Sequence, residues 1–224
     1  MTEKYTIAGG KKMVSTKNAR VRRTQVDLRE RLIEAALGEF AAHGFDGAST
    51  RKIAKCVGAH QPQINYHFDS KEDLWKASLT HLFSLLSNEL AGADTAQDSD
   101  EDMARELVDQ IRHLIDFAAR HPELNRIMVH ESTSPGPRLE WLVENFVGPY
   151  HSGLQPLWKR LVQAGIAAPI DPALIHHVLL GSISLVFVNA HELKLLQGID
   201  ATERQWIKRH ADGLIATFFP GLEK

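Results

Sequence analysis

Residues 61–75, QPQINYHFDSKEDLW, gather amide, phenol and imidazole side chains into one short polar run. Such groups recognise flat hydrogen-bonding edges. Glutamine pairs bidentately with adenine, arginine does so with guanine, and tyrosine or histidine suits a phosphate oxygen. On that chemistry Gln61 and Gln63 face base edges, while Arg51, in the preceding segment, reaches a base or the backbone. Tyr66 and His67 hold phosphates, and Lys71 with the free amides opening the next helix makes a further phosphate site. Ser49, Thr50, His60 and Asn65 complete the candidate set. Ile64 and Phe68, four residues apart, form the apolar side of the same short helix.

The elements that must hold these residues are helical. Thr24 and Asp27 make a capping-box pair, after which Leu28, Leu32, Ala36 and Phe40 recur every four residues to about Ala42. Gly44 in HGFDG ends that helix in a left-handed cap. Ser49 or Thr50 opens a second helix, and Gly58 closes it with the backbone freedom a tight turn needs. The third helix runs from about His60 to Phe68, and Ser70 with Asp73 caps a fourth over Lys71 to about Leu90. Two short helices joined by a glycine turn, the second polar on its outer side, make a helix-turn-helix that fits a major groove.

Beyond a polar, acidic linker at 91–100, helices are predicted over 101–120, 122–133, 137–165 (interrupted near Gly148-Pro149), 171–197 and 202–219. Asp171-Pro172 reads as an N-cap with proline at the first helical position, and Asp200 with Glu203 as another capping box. No alternating apolar run is long enough for a strand, so the fold class is all-α. The 171–197 segment is apolar on nearly every side, which requires burial within its own fold or against a partner.

Composition is that of an ordinary globular chain, with 43% apolar and 24% charged residues among 224. The net charge of −2 divides into +6 over residues 1–71 and −8 over the rest. Residues 1–25 alone carry +6, so the basic excess sits in the arm KKMVSTKNARVRR and points to a polyanion. The single Cys56 excludes an internal disulfide and reads as a small buried residue. No signal peptide or spanning segment is written at the start, and VLLGSISLVFVNA is too short to cross a bilayer. The expectation is a cytoplasmic protein with no membrane partner.

The run GASTRKIAKCVGAHQPQINYHFDSKEDL (47–74) resembles the DNA-binding region of TetR-type (tetracycline-repressor-like) transcriptional regulators. Ser49, Thr50, Arg51, Ile53, Ala54, Gly58, Tyr66, Phe68, Lys71 and Leu74 match at the family's spacing, as do Ala35-Ala36 and Phe40 before Gly44-Phe45. Family members commonly carry Tyr where this chain has Asn65, and its basic arm exceeds the family minimum. After the basic arm over 1–23, read as flexible, comes a helix-turn-helix head over 24–70, and the resemblance implies a ligand-binding and dimerisation core over 71–224. It also implies a homodimer on a palindromic double-stranded operator, released by a small-molecule effector. Phe117, His130, Trp141, Phe146 and Phe187 are the expected cavity lining, and Leu179, Ile183, Phe187, Trp206, His210 and Leu214 the expected dimer interface.

Two other function classes stand beside this one. A DNA-organising protein would bind without sequence preference, which base-reading Gln and Arg argue against. An all-helical enzyme would use the twelve histidines, yet no nucleophile elbow, paired carboxylates or phosphate loop is present. No His-x-x-x-His or Glu-x-x-His pair occurs either, so neither a metal nor a cofactor is expected.

Overall fold

Ser49, Ser70 and Ser99 each stand one residue before a helix, and each side chain accepts a backbone N–H three residues on, from Lys52, Asp73 and Asp102. These caps satisfy donors that a helix start leaves unpaired. The computed structural model describes residues 16–91 and 99–222, with side chains from Asp27 onward. Eleven helices follow among them: α1 Thr16–Gly47, α2 Thr50–Cys56, α3 Gln61–His67, α4 Lys71–Leu90, α5 Asp100–Arg120 and α6 Pro122–Ser132, then α7 Pro137–Leu142, α8 Gly148–Gln163, α9 Ile175–Val188, α10 Ala190–Gln197 and α11 Arg204–Phe218. A π-helical turn, Val143–Val147, joins α7 to α8, so the break expected at Gly148-Pro149 is a local widening of a continuous helix.

Several helix limits differ from those the sequence predicts. Helix α1 begins at Thr16 rather than at the Thr24–Asp27 pair, because residues 16–23 lack Gly and Pro and include strong helix formers. Residues 1–15 of the arm, and 92–98 of the acidic linker, lie outside the described residues. Asp171 and Asp200 cap turns instead of helices: their side chains accept the backbone N–H of Ala173 and Thr202, and α9 and α11 start later. The apolar 171–197 run is two helices, α9 and α10, bent by 70° about Asn189. Among the described residues no single helix is long and apolar enough to cross a membrane, although this bent pair would qualify by length and composition.

Two apolar clusters organise the packing. The first joins Leu32, Phe40, Ile53, Ile64, Phe68 and Leu74 of α1–α4 to Phe117, Leu124, Ile127 and Leu142 of α5–α7. Packing is therefore continuous across residue 70, where the head was expected to end. The second cluster gathers Ile111, Ile115, Trp158, Leu161, Leu179, Ile183, Phe187 and Phe218 from α5, α8, α9 and α11. Helix α5 contributes to both and ties them together.

Candidate nucleic-acid interface

Helix α3 is anchored by two side chains and open on the other face. Ile64 is 2% and Phe68 4% exposed, packed with Ile53 and Ala54 of α2. Pro62, Gln63, Asn65 and Tyr66 are exposed, Tyr66 at 71%. The turn between α2 and α3 is held tightly. Gly58 adopts φ +69, a conformation side chains rarely take. The Ala59 N–H donates to the Ala54 carbonyl at 2.9 Å, and Arg31 Nη2 from α1 donates to the Val57 carbonyl at 2.7 Å. Glu39 of α1 accepts the Ser49 N–H at 3.0 Å, so α2 is bolted to α1 at both of its ends.

The ten candidate contact residues divide when their own partners are counted. Arg51, His60, Asn65 and Tyr66 are exposed. Gln63 is exposed too, but its Oε1 accepts the His60 N–H at 2.9 Å, which removes the bidentate adenine pairing the sequence suggests and leaves its Nε2 donor. Gln61 is half-buried, and its Nε2 donates to Thr50 Oγ1 at 3.1 Å and to Asn65 Oδ1 at 3.4 Å, leaving only its acceptor oxygen. Ser49 spends its hydroxyl on the α2 cap, and Thr50 spends its own on Gln61. Burial and the nearby Arg29 hold the His67 imidazole below its ordinary range. Lys71 does not point freely outward: its Nζ donates to the Asp46 carbonyl at 3.2 Å and lies 4.9 Å from the Phe45 ring centroid.

Arg29 was not legible as a candidate. Its guanidinium carbon lies 5.2 Å from the Phe68 ring centroid, which brings an α1 cation to the end of α3. The two residues are remote in sequence, so no local pattern signals this contact. Cys56 is exposed at the end of α2 rather than buried, since Ile53 and Ala54 take that helix's inward positions.

Comparison with known proteins meets this geometry. Residues 32–77, covering α2, α3 and their supports, match the family described as bacterial regulatory proteins, tetR family. The chain is 30% identical over 184 residues to the HTH-type transcriptional dual regulator CecR of Shigella flexneri, spanning 75% of this chain and 79% of CecR. The chain belongs to the TetR family. It is 27% identical over 200 residues to the HTH-type transcriptional repressor NicS of Pseudomonas putida, spanning 86% of this chain and 91% of NicS. In fold it is similar to AibR in a complex with isovaleryl coenzyme A and operator DNA, with TM-score 0.67, 20% identity and coverage of 86% and 98%. The ketosteroid regulator KstR2 of Mycobacterium tuberculosis superposes with TM-score 0.62 at 18% identity, covering 85% and 94%. As a TetR-family member the protein is a helix-turn-helix transcriptional regulator, and these relatives give no support to an enzyme or a non-specific DNA organiser.

Beyond the TetR head, the structure separates residues expected to act together. Trp141 and Phe146 do meet, with ring centroids 5.2 Å apart, in a group with Trp75 and Phe83. Phe117 lies in the same cluster against His121, whereas Phe187 belongs to the other cluster beside Trp206 and His210. His130 is exposed near Gly44. These five do not line one cavity. Leu179, Ile183 and Phe187 are 4%, 2% and 2% exposed within one chain, so no partner can cover them. Trp206, His210 and Leu214 are half-buried. The outward stripe of α9 is Leu174, His177, Val178, Gly181 and Leu185, with Leu180 beside it. Among the described residues no three metal-ligating side chains converge.

Proposed function

We propose that this TetR-family regulator represses transcription as a homodimer on a palindromic operator and leaves it when a small molecule binds. The observation that carries the reading is α3 itself, whose Ile64–Phe68 side is sealed while Asn65, Tyr66 and Gln63 stand in solvent beside Arg51. On this reading Arg51 and Asn65 read bases, Gln63 adds one donor, and Tyr66, His60 and His67 meet phosphates. Lys71 acts by holding the turn behind α2 more than by touching DNA. The outward apolar stripe of α9 supports self-association, because Leu174, Val178, Leu180 and Leu185 expose 57%, 38%, 39% and 49% of their surface in the single chain. A two-fold axis there would set two α3 helices on successive major grooves, roughly 34–36 Å apart. The described fold of AibR, which carries both a ligand and operator DNA, supports effector control here. The regulator acts in the cytoplasm, where operator DNA lies.

Selection of genomic fragments on the purified chain, followed by gel shift against random duplexes, tests this. A recurring inverted repeat bound well above random DNA is the expected outcome. Equal affinity for every duplex would sink it.

A further inference from the structure

Resting on the effector-controlled reading above, we propose that a cleft between the DNA head and the core binds a small organic acid through Arg138. The cleft holds about 290 Å³ between the HGFDG turn and the α6–α7 connection, and its walls include His43, Phe45, Asp46, His130, Glu131 and Arg138. Arg138 is fixed from two sides. Its Nε donates to Oε2 of Glu131, which is 8% exposed, at 3.0 Å, and its guanidinium carbon lies 4.0 Å from the Phe45 ring centroid. These contacts set the plane of the guanidinium yet occupy one of its five N–H donors; the donors on its Nη atoms have no acceptor among the described residues. A planar fork held rigid with free donors matches a carboxylate, and little entropy is lost when one docks.

The neighbours narrow the ligand further. His130 stands beside Gly44, where an added Cβ would lie 3.6 Å from its Nδ1, and His43 uses its Nδ1 on the Glu39 carbonyl at 3.2 Å. The His130 ring keeps a nitrogen for a ligand oxygen, whereas the neutral His43 ring, with its proton on Nδ1, offers only an acceptor. Glu131 is matched by Arg138, and Asp46 has the Lys71 ammonium at its own carbonyl. The Asp46 carboxylate itself has no ion-pair partner among the described residues, so directional hydrogen bonds hold the ligand, and a singly charged carboxylate meets less repulsion from Asp46 and Glu131 than a phosphate ester would. Phe45, Pro135, Pro137 and Leu139 supply the apolar wall for its carbon chain.

Binding there touches the reader directly. The Arg138–Phe45 contact joins α7 to the turn that leads into α2, and Lys71 also lies over that ring. An acid on the free Nη donors shares the guanidinium with the Phe45 ring, so the turn is either held, as here, or loosened with the guanidinium drawn off that ring. Release of DNA follows if the acid binds the loosened arrangement more tightly than the held one.

Calorimetric titration of the full chain with acetate, butyrate and succinate, each against its uncharged amide, reads binding without DNA. Saturable binding of at least one acid, and of none of the amides, is expected. The pair Arg138→Gln with Glu131→Gln, which leaves no buried charge uncompensated, should abolish it with circular dichroism unchanged. His130→Ala, which leaves the Arg138–Glu131 pair intact, should weaken it several-fold. Absence of saturable binding by all three acids, or binding that survives both variants, overturns the proposal. Gel shift on a selected operator separates the two readings: operator binding without acid binding rejects the cleft alone, whereas no operator preference rejects the regulator reading beneath it.

Discussion

The amide of Gln63 is divided between two tasks. Its Oε1 closes the start of α3 on the His60 N–H, and its Nε2 remains for a partner. Gln63→Glu keeps the acceptor, so thermal unfolding should barely move while DNA binding weakens through repulsion of phosphates. A large loss of stability in that variant would refute the capping role. Arg51 has no partner among the described residues and should act purely on DNA. Its replacement by alanine should narrow the gap between operator and random duplex by about 1–3 kcal/mol in competition gel shifts. The histidines respond to pH in a definite direction. Burial holds His210 below the ordinary imidazole range despite its bond to the Ser182 carbonyl, and burial with His177 and His151 does the same for His176. Each takes up a proton in the unfolded chain before it does in the folded one. Stability is then fully present above about pH 6.5 and declines as pH falls below it, which thermal melts across that range will show.

At the scale of elements, the sequence announced the reading head well. Capping serines, the Gly58 turn and the Ile64–Phe68 pair are local signals, and the limits of α2, α3 and α4 follow from them. The unread part depended on residues distant in sequence. Gln61 is committed to Thr50 eleven positions away, and Lys71 to the Asp46 carbonyl twenty-five away, and no periodicity records such contacts. The inward side of α9 was equally hidden, because a helix apolar on every face leaves that choice to its neighbours. Ile64 anchors α3 together with Phe68, and Ile64→Ala should cost about 2–5 kcal/mol in denaturant unfolding. It should also lose operator binding without altering any DNA contact. Unchanged stability would mean that α3 is anchored elsewhere.

At the scale of the molecule, one apolar cluster runs from the head through α4 into α5–α7, so the reader cannot tilt without disturbing the core. Under the proposed effector control, that continuity would carry a ligand's grip on the core to α3, and the Arg138–Phe45 contact is one link between them. The proposed self-association rests on the α9 stripe. Leu185→Glu should convert a dimer to a monomer in sedimentation velocity, whereas the same change at the buried Ile183 should unfold the chain. The most direct test of the whole account is fluorescence anisotropy on a selected operator with Asn65 and Tyr66 both replaced by alanine. The account predicts an intact helical spectrum, an intact melting temperature, weaker binding to every duplex, and a narrowed gap between operator and random duplex. A double variant that still prefers its operator as strongly as the parent chain would contradict it.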